Sequence, residues 1–158
     1  MDTISIIGIG NMLMCDEGFG VHVIHYLEEN YIFPDFVRLV DCGTAGIYMA
    51  PFFEDADRVI IVDVVQVEDE APGTVLSLRH GDMMARSIQS SMSPHQIGVL
   101  EILEICKLRG NIPQQVEFCL VVPEKLEPGL ELSKTLASRV PEVAENIVED
   151  LRSQGFQI

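Results

Sequence analysis

The sequence predicts a single α/β domain over residues 1–158, a three-layer α/β/α sandwich around a mainly parallel, twisted sheet of about five strands. Short runs of apolar, often β-branched residues are typical of parallel strands covered on both faces, and three occur early in the chain: "TISIIGI", "FVRLVD" and "RVIIVDVV". Helical segments separate these runs, so the order of elements is βαβαβ, whose crossovers are right-handed. A chain of 158 residues is long enough for one domain with a substantial core and too short for two.

The remaining elements follow in chain order. The first helix is expected at Gly18–Asn30 and the second from about Ala45 to Asp55. "GTVLSLR", after a Pro-Gly turn, predicts a further strand at an edge of the sheet, in either direction. "HQIGVLEILEICKLRG" predicts a helix that ends at Gly110, and "QVEFCLVV" predicts a core strand that Pro123 ends.

The last helical segment carries a one-sided apolar stripe that a proline interrupts. The stripe residues are spaced four, three, four and four apart, at Leu136, Val140, Val143, Ile147 and Leu151. Proline lacks an N–H and is tolerated in the first turn of a helix but not in its interior. We therefore expect a short turn of helix to end near Val140 and a second helix to begin with Pro141 in its first turn.

Composition excludes several classes of function. The chain is 47% hydrophobic, which excludes a disordered protein. It carries 25 acidic and 10 basic residues, a formal charge of -15, and a phosphate backbone repels such a chain, so no nucleic-acid partner is expected. The charge predicts a well-solvated surface, and attraction to a basic partner is the alternative.

The cysteines and the N-terminus indicate a cytoplasmic location. The cysteines form no CxxC pair, and we interpret them as reduced thiols that fill the core: Cys15, Cys42, Cys106 and Cys119. The N-terminus "MDTISIIGIG" lacks the basic start of a signal peptide, and no apolar run approaches the length that spans a bilayer. We therefore expect a soluble, cytoplasmic protein with no membrane partner.

The glycine-rich turn "GIGNMLMCDEGFG" joins the first strand to the first helix, where nucleotide-binding folds hold a phosphate. Gly8 and Gly10 fit the pattern G-x-G-x-x-G, but Leu13 occupies the third position, and Asp41 comes too late to bind a ribose. No Gly-Lys-Ser/Thr follows, which excludes a P-loop. The turn presents acidic residues instead, so a nucleotide-binding enzyme is the weaker alternative.

Acidic and imidazole side chains are predicted to meet at the carboxyl edge, the edge of the sheet formed by the carboxyl ends of its parallel strands, where open α/β sheets bind ligands. Glu17 follows the first strand, Asp41 ends the second, and Asp63 lies late in the third. His95 follows "MSP", at the start of a helix whose preceding loop can fold over the same edge. Glu17, Asp63 and His95 would supply two oxygens and one nitrogen, a set that suits nickel or zinc better than calcium or magnesium.

Each candidate ligand also has a structural interpretation. Asp63 lies inside an apolar run and can be a hydrogen-bonded cap, because a buried carboxylate is costly unless it is paired or binds a cation. A lone histidine such as His95 is often structural, and Cys15 is an alternative thiol ligand. The other histidines are interpreted as surface, packing or turn residues: His22, His25 and His80.

The familiar peptidase motifs are absent from the sequence. No serine lies in a G-x-S-x-G elbow, and no H-E-x-x-H pair occurs. The ordinary serine and zinc peptidase mechanisms therefore have no support, and no catalytic nucleophile is assigned.

A wider pattern covers nearly the whole chain, in order and without large gaps. It consists of "GIGNMLMCDEGFGVHVIHYLEE", "FPDFVRLVDCGTAG", "VIIVDVV", "APGTVLSLR", "SPHQIGVLEIL" and "VVPEKLEPGLELS". The first stretch resembles the opening G-x-G-N-x-L-x-x-D-E-x-x-G-V of the hydrogenase maturation proteases, and the others resemble later parts of the same family. The resemblance implies a cytosolic endopeptidase that removes the C-terminal extension from the large subunit of a nickel-iron hydrogenase.

The resemblance also implies roles for particular residues. The family's nickel-contacting glutamate, aspartate and histidine fall on Glu17, Asp63 and His95. The nickel would be supplied by the large-subunit precursor, the expected partner, and zinc or a similar divalent ion can replace it in crystals. The family's D-G-G-T loop, expected to contact the substrate rather than the metal, corresponds to Asp41, Cys42, Gly43 and Thr44, with Cys42 as the departure from the pattern.

Two questions stay open at this point. Nickel can polarise the scissile carbonyl, generate a hydroxide, or serve only to dock the substrate. A non-catalytic nickel-binding delivery or chaperone protein for hydrogenase assembly would use the same three ligands without cutting anything.

Overall fold

The computed structural model describes residues 2–79, 81 and 94–158, and the side chains of all of these except 94–97. These residues form a sheet of five strands in the order β2-β1-β3-β5-β4. The strands are β1 (Ile4–Ile9), β2 (Val37–Gly43), β3 (Arg58–Val64), β4 (Val75–Arg79) and β5 (Gln115–Val121). β1, β2, β3 and β5 pair in parallel, whereas β4 lies antiparallel to β5 at an edge. The α/β class and the edge position of "GTVLSLR" are confirmed, and the direction of that strand is antiparallel.

Helices pack on both faces of the sheet. The α-helices of the described residues are α1 (Phe19–Asn30), α2 (Ala50–Glu54), α3 (Pro94–Arg109) and α4 (Lys134–Ser153). Alternate residues of β1 point to opposite faces: Ile4 and Ile6 join the core shared with α1 and α4, and Ile7 and Ile9 join the core shared with α2 and α3. The result is the predicted three-layer sandwich. Within the described residues, we find no helix that combines the length and the apolar character needed to cross a membrane.

The helix boundaries differ slightly from the predicted ones. A 3₁₀ turn, Cys15–Gly18, precedes α1, and a second one, Gly46–Met49, occupies the first half of the predicted second helix. α3 ends at Arg109, and Gly110 then adopts φ +78°, a left-handed conformation that commonly terminates helices. The stop predicted at Gly110 is confirmed.

The expected break at Pro141 is wrong, because α4 runs without interruption through this residue. Ser133 caps the start of the helix, where its Oγ accepts a hydrogen bond from the N–H of Leu136 (3.3 Å). Leu136, before the proline, and Val143, after it, are both fully buried in the same core. Burial of one continuous apolar stripe offsets the hydrogen bond that Pro141 cannot donate.

Candidate functional site at the carboxyl edge

Glycines allow the turn that carries Glu17 to pack directly on the carboxyl edge of the sheet. A Cβ atom on Gly20 would collide with the carbonyl oxygen of Val62 in β3 and would lie 2.5 Å from the carbonyl oxygen of Ile9 in β1. Gly10 adopts φ +145°, and a Cβ there would collide with the main chain of Glu17. Helix α1 and the 3₁₀ turn before it therefore approach the ends of β1 and β3 at main-chain distance.

Asp63 lies at the same edge, one residue after Val62. Its side chain is buried, with 1% of the residue exposed, and it belongs to a strand that is buried throughout. The N–H of Val64 donates a hydrogen bond to its Oδ1 (2.8 Å). This donor is the next residue of the same strand, and the interpretation of Asp63 as a cap stays a prediction. The 3₁₀ turn with the half-buried Glu17 contacts the strand that carries this carboxylate.

The complete set of three predicted metal ligands lies partly outside the described side chains. His95 is the second residue of α3, and its side chain belongs to the part that the structure does not describe. Among the side chains that are described, no group of three or more His, Cys, Asp and Glu residues is placed to hold a metal ion. The site formed by Glu17, Asp63 and His95 therefore stays a prediction. His80 also lies outside the described residues.

Asp16 is a site residue that sequence reasoning missed. It is fully buried, and its carboxylate accepts four hydrogen bonds: from the N–H of Glu124 (2.9 Å), Lys125 (2.8 Å) and Ser133 (2.7 Å), and from the Oγ of Ser133 (2.9 Å). These donors lie more than a hundred residues away along the chain, at separations of 108 to 117. No local pattern in the sequence signals such a contact.

Main-chain hydrogen bonds extend the contact between the Glu17 turn and the loop that follows β5. The N–H of Gly129 donates to the carbonyl oxygen of Leu13 (2.9 Å), and the N–H of Cys15 donates to the carbonyl oxygen of Gly129 (2.9 Å). The N–H of Asp16 also donates to the carbonyl oxygen of Lys125 (3.1 Å). Residues 13–16 thus hold the loop after β5 against the carboxyl edge.

The predicted substrate loop, Asp41–Thr44, is held by a second set of hydrogen bonds. Oδ1 of Asp41 accepts from the N–H of Gly43 (3.1 Å), and Gly43 adopts φ +47°. The carbonyl oxygen of Gly43 accepts from the N–H of Gly10 (2.9 Å), which links this loop to the glycine-rich turn. His25, interpreted from sequence as a surface or packing residue, has its Nε2 3.1 Å from Oδ2 of Asp41. It is therefore a partner of the loop and not only a surface residue.

Cys42 points away from solvent, although it lies in the predicted substrate loop. Only 7% of the residue is exposed, and it belongs to the core that includes Met49 and Phe53. Burial, followed by the negative charge of Asp41, raises the pKa of the Cys42 thiol to about 11. The thiol is therefore neutral near pH 7, and any contact of Cys42 with a substrate falls to its main chain.

The other cysteines and His22 are also packing residues. Cys15, Cys106 and Cys119 are buried free thiols, as predicted, and burial raises the pKa of Cys119 to about 11. His22 is half-buried on α1, and its pKa is lowered, first by burial and then by the nearby His25. Its buried Nε2 has no hydrogen-bond partner among the described residues. These side chains therefore contribute to packing.

Comparison with known proteins gives a consistent result. A family model described as hydrogenase maturation protease matches residues 21–150. The chain is 34% identical to the hydrogenase 2 maturation protease of Escherichia coli (strain K12), over 98% of this chain and 93% of that protein. Its fold matches the solved structure of the hydrogenase maturating endopeptidase HybD from E. coli with a TM-score of 0.89, at 33% identity over 98% of this chain and 95% of the other.

A relative from an archaeon has the same fold. The hydrogenase 2 maturation peptidase from Thaumarchaeota archaeon SCGC_AB-539-E09 matches with a TM-score of 0.72, at 32% identity over 94% of this chain and 97% of that one. The family model covers most of the chain, and similarity to these relatives extends over nearly all of it. The chain belongs to the hydrogenase maturation protease family.

Proposed function

We propose that this protease removes the C-terminal extension from the large-subunit precursor of a nickel-iron hydrogenase, and that it recognises the precursor by the nickel already bound there. Membership of the hydrogenase maturation protease family supports the proteolytic activity. The observation that carries the role of nickel is the buried carboxylate of Asp63 at the carboxyl edge, beside the turn of Glu17. Nickel is part of the substrate in this proposal and not a resident cofactor.

The placement of Asp63 suits a cation ligand. Transfer of a carboxylate out of water costs several kcal/mol unless hydrogen bonds or a positive charge compensate, so a carboxylate is rarely buried without a reason. Asp63 is buried at the end of a strand, where open α/β sheets bind ligands. With Glu17 on the adjacent turn and His95 at the start of α3, the donor set would combine oxygen and nitrogen, as nickel and zinc prefer.

The loops around the carboxyl edge support a protein substrate. Several of their apolar side chains are largely exposed: Leu13 (64%), Ile47 (54%), Tyr48 (81%) and Leu130 (68%). Exposed apolar side chains near a candidate site are typical of surfaces that contact another protein. We place the precursor's C-terminal segment across these loops, in contact with Asp41–Thr44.

The state of the cysteines supports a cytoplasmic location. All four are free thiols, and disulfides are rare in reducing compartments. We therefore propose that processing takes place in the cytoplasm.

The test is the mass of the precursor after incubation with the protein. Nickel-loaded precursor should lose the mass of its C-terminal extension, and nickel-free precursor should keep it. Glu17→Gln, Asp63→Asn and His95→Ala should each abolish the mass change, because each removes one of few ligands from the shared ion. Glu28→Gln, an exposed carboxylate on α1, is the matched control and should cut at the wild-type rate.

The outcomes separate the alternatives. Cleavage of nickel-free precursor, or wild-type cleavage by His95→Ala, would contradict recognition through nickel. If the wild-type protein binds nickel but leaves the precursor intact, the delivery or chaperone function is supported instead. The urea midpoint of each variant, measured on the same preparation, shows whether lost cleavage reflects lost folding.

A further inference from the structure

We propose that His25 is a positioning residue that orients the carboxylate of Asp41 toward the substrate's main chain; this rests on the proposed function, which places the precursor across the Asp41–Thr44 loop. His25 lies in the second half of α1, and Asp41 lies in β2 at the carboxyl edge. The class of ligand is an extended peptide whose N–H groups donate to Asp41.

Both oxygens of Asp41 are held from different directions. Nε2 of His25 lies 3.1 Å from Oδ2, and the N–H of Gly43 lies 3.1 Å from Oδ1. A carboxylate only accepts hydrogen bonds, so the imidazole is the donor in this pair. Each carboxylate oxygen has a second lone pair, and one donor on each oxygen fixes the carboxylate plane while leaving both oxygens able to accept from a substrate.

The pair is accessible to a partner. The side chains of His25 and Asp41 are each 43% exposed, so a peptide can reach Asp41 without displacing the histidine. Hydrogen-bonded side-chain pairs with this exposure contribute little to folding stability, because water solvates both groups. The contribution of His25 is therefore expected in substrate binding.

His25, the hydrogen-bond donor, lies on a helix that is firmly packed against the core. Ile24 and Leu27, which flank His25 on α1, are fully buried in the core. This packing prevents the helix from moving away from β2, against which it lies. The packed helix thus holds His25 in place beside the Asp41–Thr44 loop, part of which is exposed, including Thr44.

Hydrogen bonds connect this pair to the predicted metal-binding turn. Asp41 accepts from Gly43, and the carbonyl oxygen of Gly43 accepts from the N–H of Gly10 (2.9 Å). Gly10 in turn packs against the main chain of Glu17. The loop that carries Asp41 is thus joined to the turn of Glu17 through main-chain contacts.

The test compares His25→Leu, which removes the donor, with His25→Gln, which keeps an N–H donor. For cleavage of nickel-loaded precursor, His25→Leu should raise KM about tenfold and change kcat by less than about twofold. A tenfold rise in KM is the effect expected when Asp41 loses one charge-assisted hydrogen bond to the substrate. His25→Gln should restore most of the loss, and Glu28→Gln on the same helix should behave as wild type. With Asp41→Ala present, which removes the acceptor, His25→Leu should have little further effect.

A second readout does not depend on cleavage. Amide hydrogen exchange of Gly43 should be faster in His25→Leu than in wild type, because a freely rotating Asp41 no longer holds that N–H. Glu28→Gln should leave the exchange unchanged. If the wild-type protein cuts no precursor, the proposed function is wrong, and exchange at Gly43 still decides whether His25 orients Asp41. Unchanged exchange, an unchanged KM in His25→Leu, no rescue by His25→Gln, or additive effects with Asp41→Ala would each overturn the proposal.

Discussion

Asp16 and Glu17 are adjacent carboxylates of one 3₁₀ turn, and the turn directs them to different environments. Asp16 is fully buried and accepts four hydrogen bonds from the loop after β5, whereas Glu17 is half-buried beside the end of β3. Charge-assisted hydrogen bonds to main-chain N–H groups compensate the cost of burying Asp16. Asp16 therefore holds the loop after β5 against the carboxyl edge, whereas Glu17 lies beside the end of β3.

Replacement of Asp16 by alanine should destabilise the protein by about 3 kcal/mol or more, because three main-chain N–H groups lose their acceptor in a buried site. The free energy of unfolding in urea measures the effect. Glu127→Gln is the control in the same loop; its carboxylate is 61% exposed and pairs with Lys125 at 3.1 Å, so its removal should cost less than about 1 kcal/mol. Equal effects of the two changes would show that Asp16 does not hold the loop.

At the scale of elements, the position of α1 is set by glycine and not by side-chain packing alone. Gly20 lies in the first turn of the helix, and its Cα faces the carbonyl oxygens of Val62 and Ile9 in two neighbouring strands. This close approach brings the 3₁₀ turn of Glu17 onto the carboxyl edge. The helix therefore positions both Glu17, just before its start, and His25, about two turns further along.

Gly20→Ala and Gly98→Ala are a matched pair that tests this contact. Gly20→Ala should destabilise the protein by about 3 kcal/mol, because the new methyl group meets main chain that cannot move without opening the sheet. Gly98, in α3, has no described atom within 4 Å of an added Cβ, so Gly98→Ala should stabilise by about 0.5 to 1 kcal/mol through helix propensity. Urea midpoints measure both changes. A tolerated Gly20→Ala would show that α1 can move off the strands.

At the scale of the whole molecule, negative charge dominates the surface. The formal charge is -15, from 25 acidic and 10 basic residues. Arg58 is a buried positive charge that is paired with two carboxylates. It is 6% exposed, and its guanidinium contacts Glu117 (2.7 Å) in β5 and Asp150 (2.6 Å) in α4. Most of the other ion pairs of the described residues are exposed and therefore weak. Repulsion among the surplus carboxylates is consequently the larger electrostatic effect.

Added salt should therefore stabilise the protein. The urea midpoint should rise from low ionic strength to physiological NaCl and then level off, since the Debye length has fallen to about 8 Å at that point. Screening also weakens the ion pairs, but the excess of carboxylates decides the sign. Sucrose at matched osmolality controls for effects unrelated to charge. A midpoint that falls with NaCl would show that attractive pairs outweigh the repulsion.

The α/β class and the five strands could be predicted from the amino-acid sequence alone. A strand such as Arg58–Val64 can be recognised in the sequence because burial on both faces requires an apolar run. The helix end at Gly110 can be recognised because few residues other than glycine adopt a positive φ. Asp63 stands out in the sequence as a carboxylate inside the apolar run "RVIIVDVV". These predictions depend on a few neighbouring residues, so they can be made without knowing the fold. The set Glu17, Asp63 and His95 stays a prediction.

Contacts between residues far apart in the chain could not be predicted from the sequence. Pro141 lies within a continuous helix because the core buries the apolar stripe on both sides of it. Helix propensities describe single residues and do not include the free energy of this burial. Asp16 finds donors at separations of 108 to 117 residues, and His25 finds Asp41 because α1 packs beside β2. Cys42 belongs to the predicted substrate loop, but its side chain packs into the core. Such contacts depend on how the elements pack against one another, and packing is a property of the folded chain as a whole.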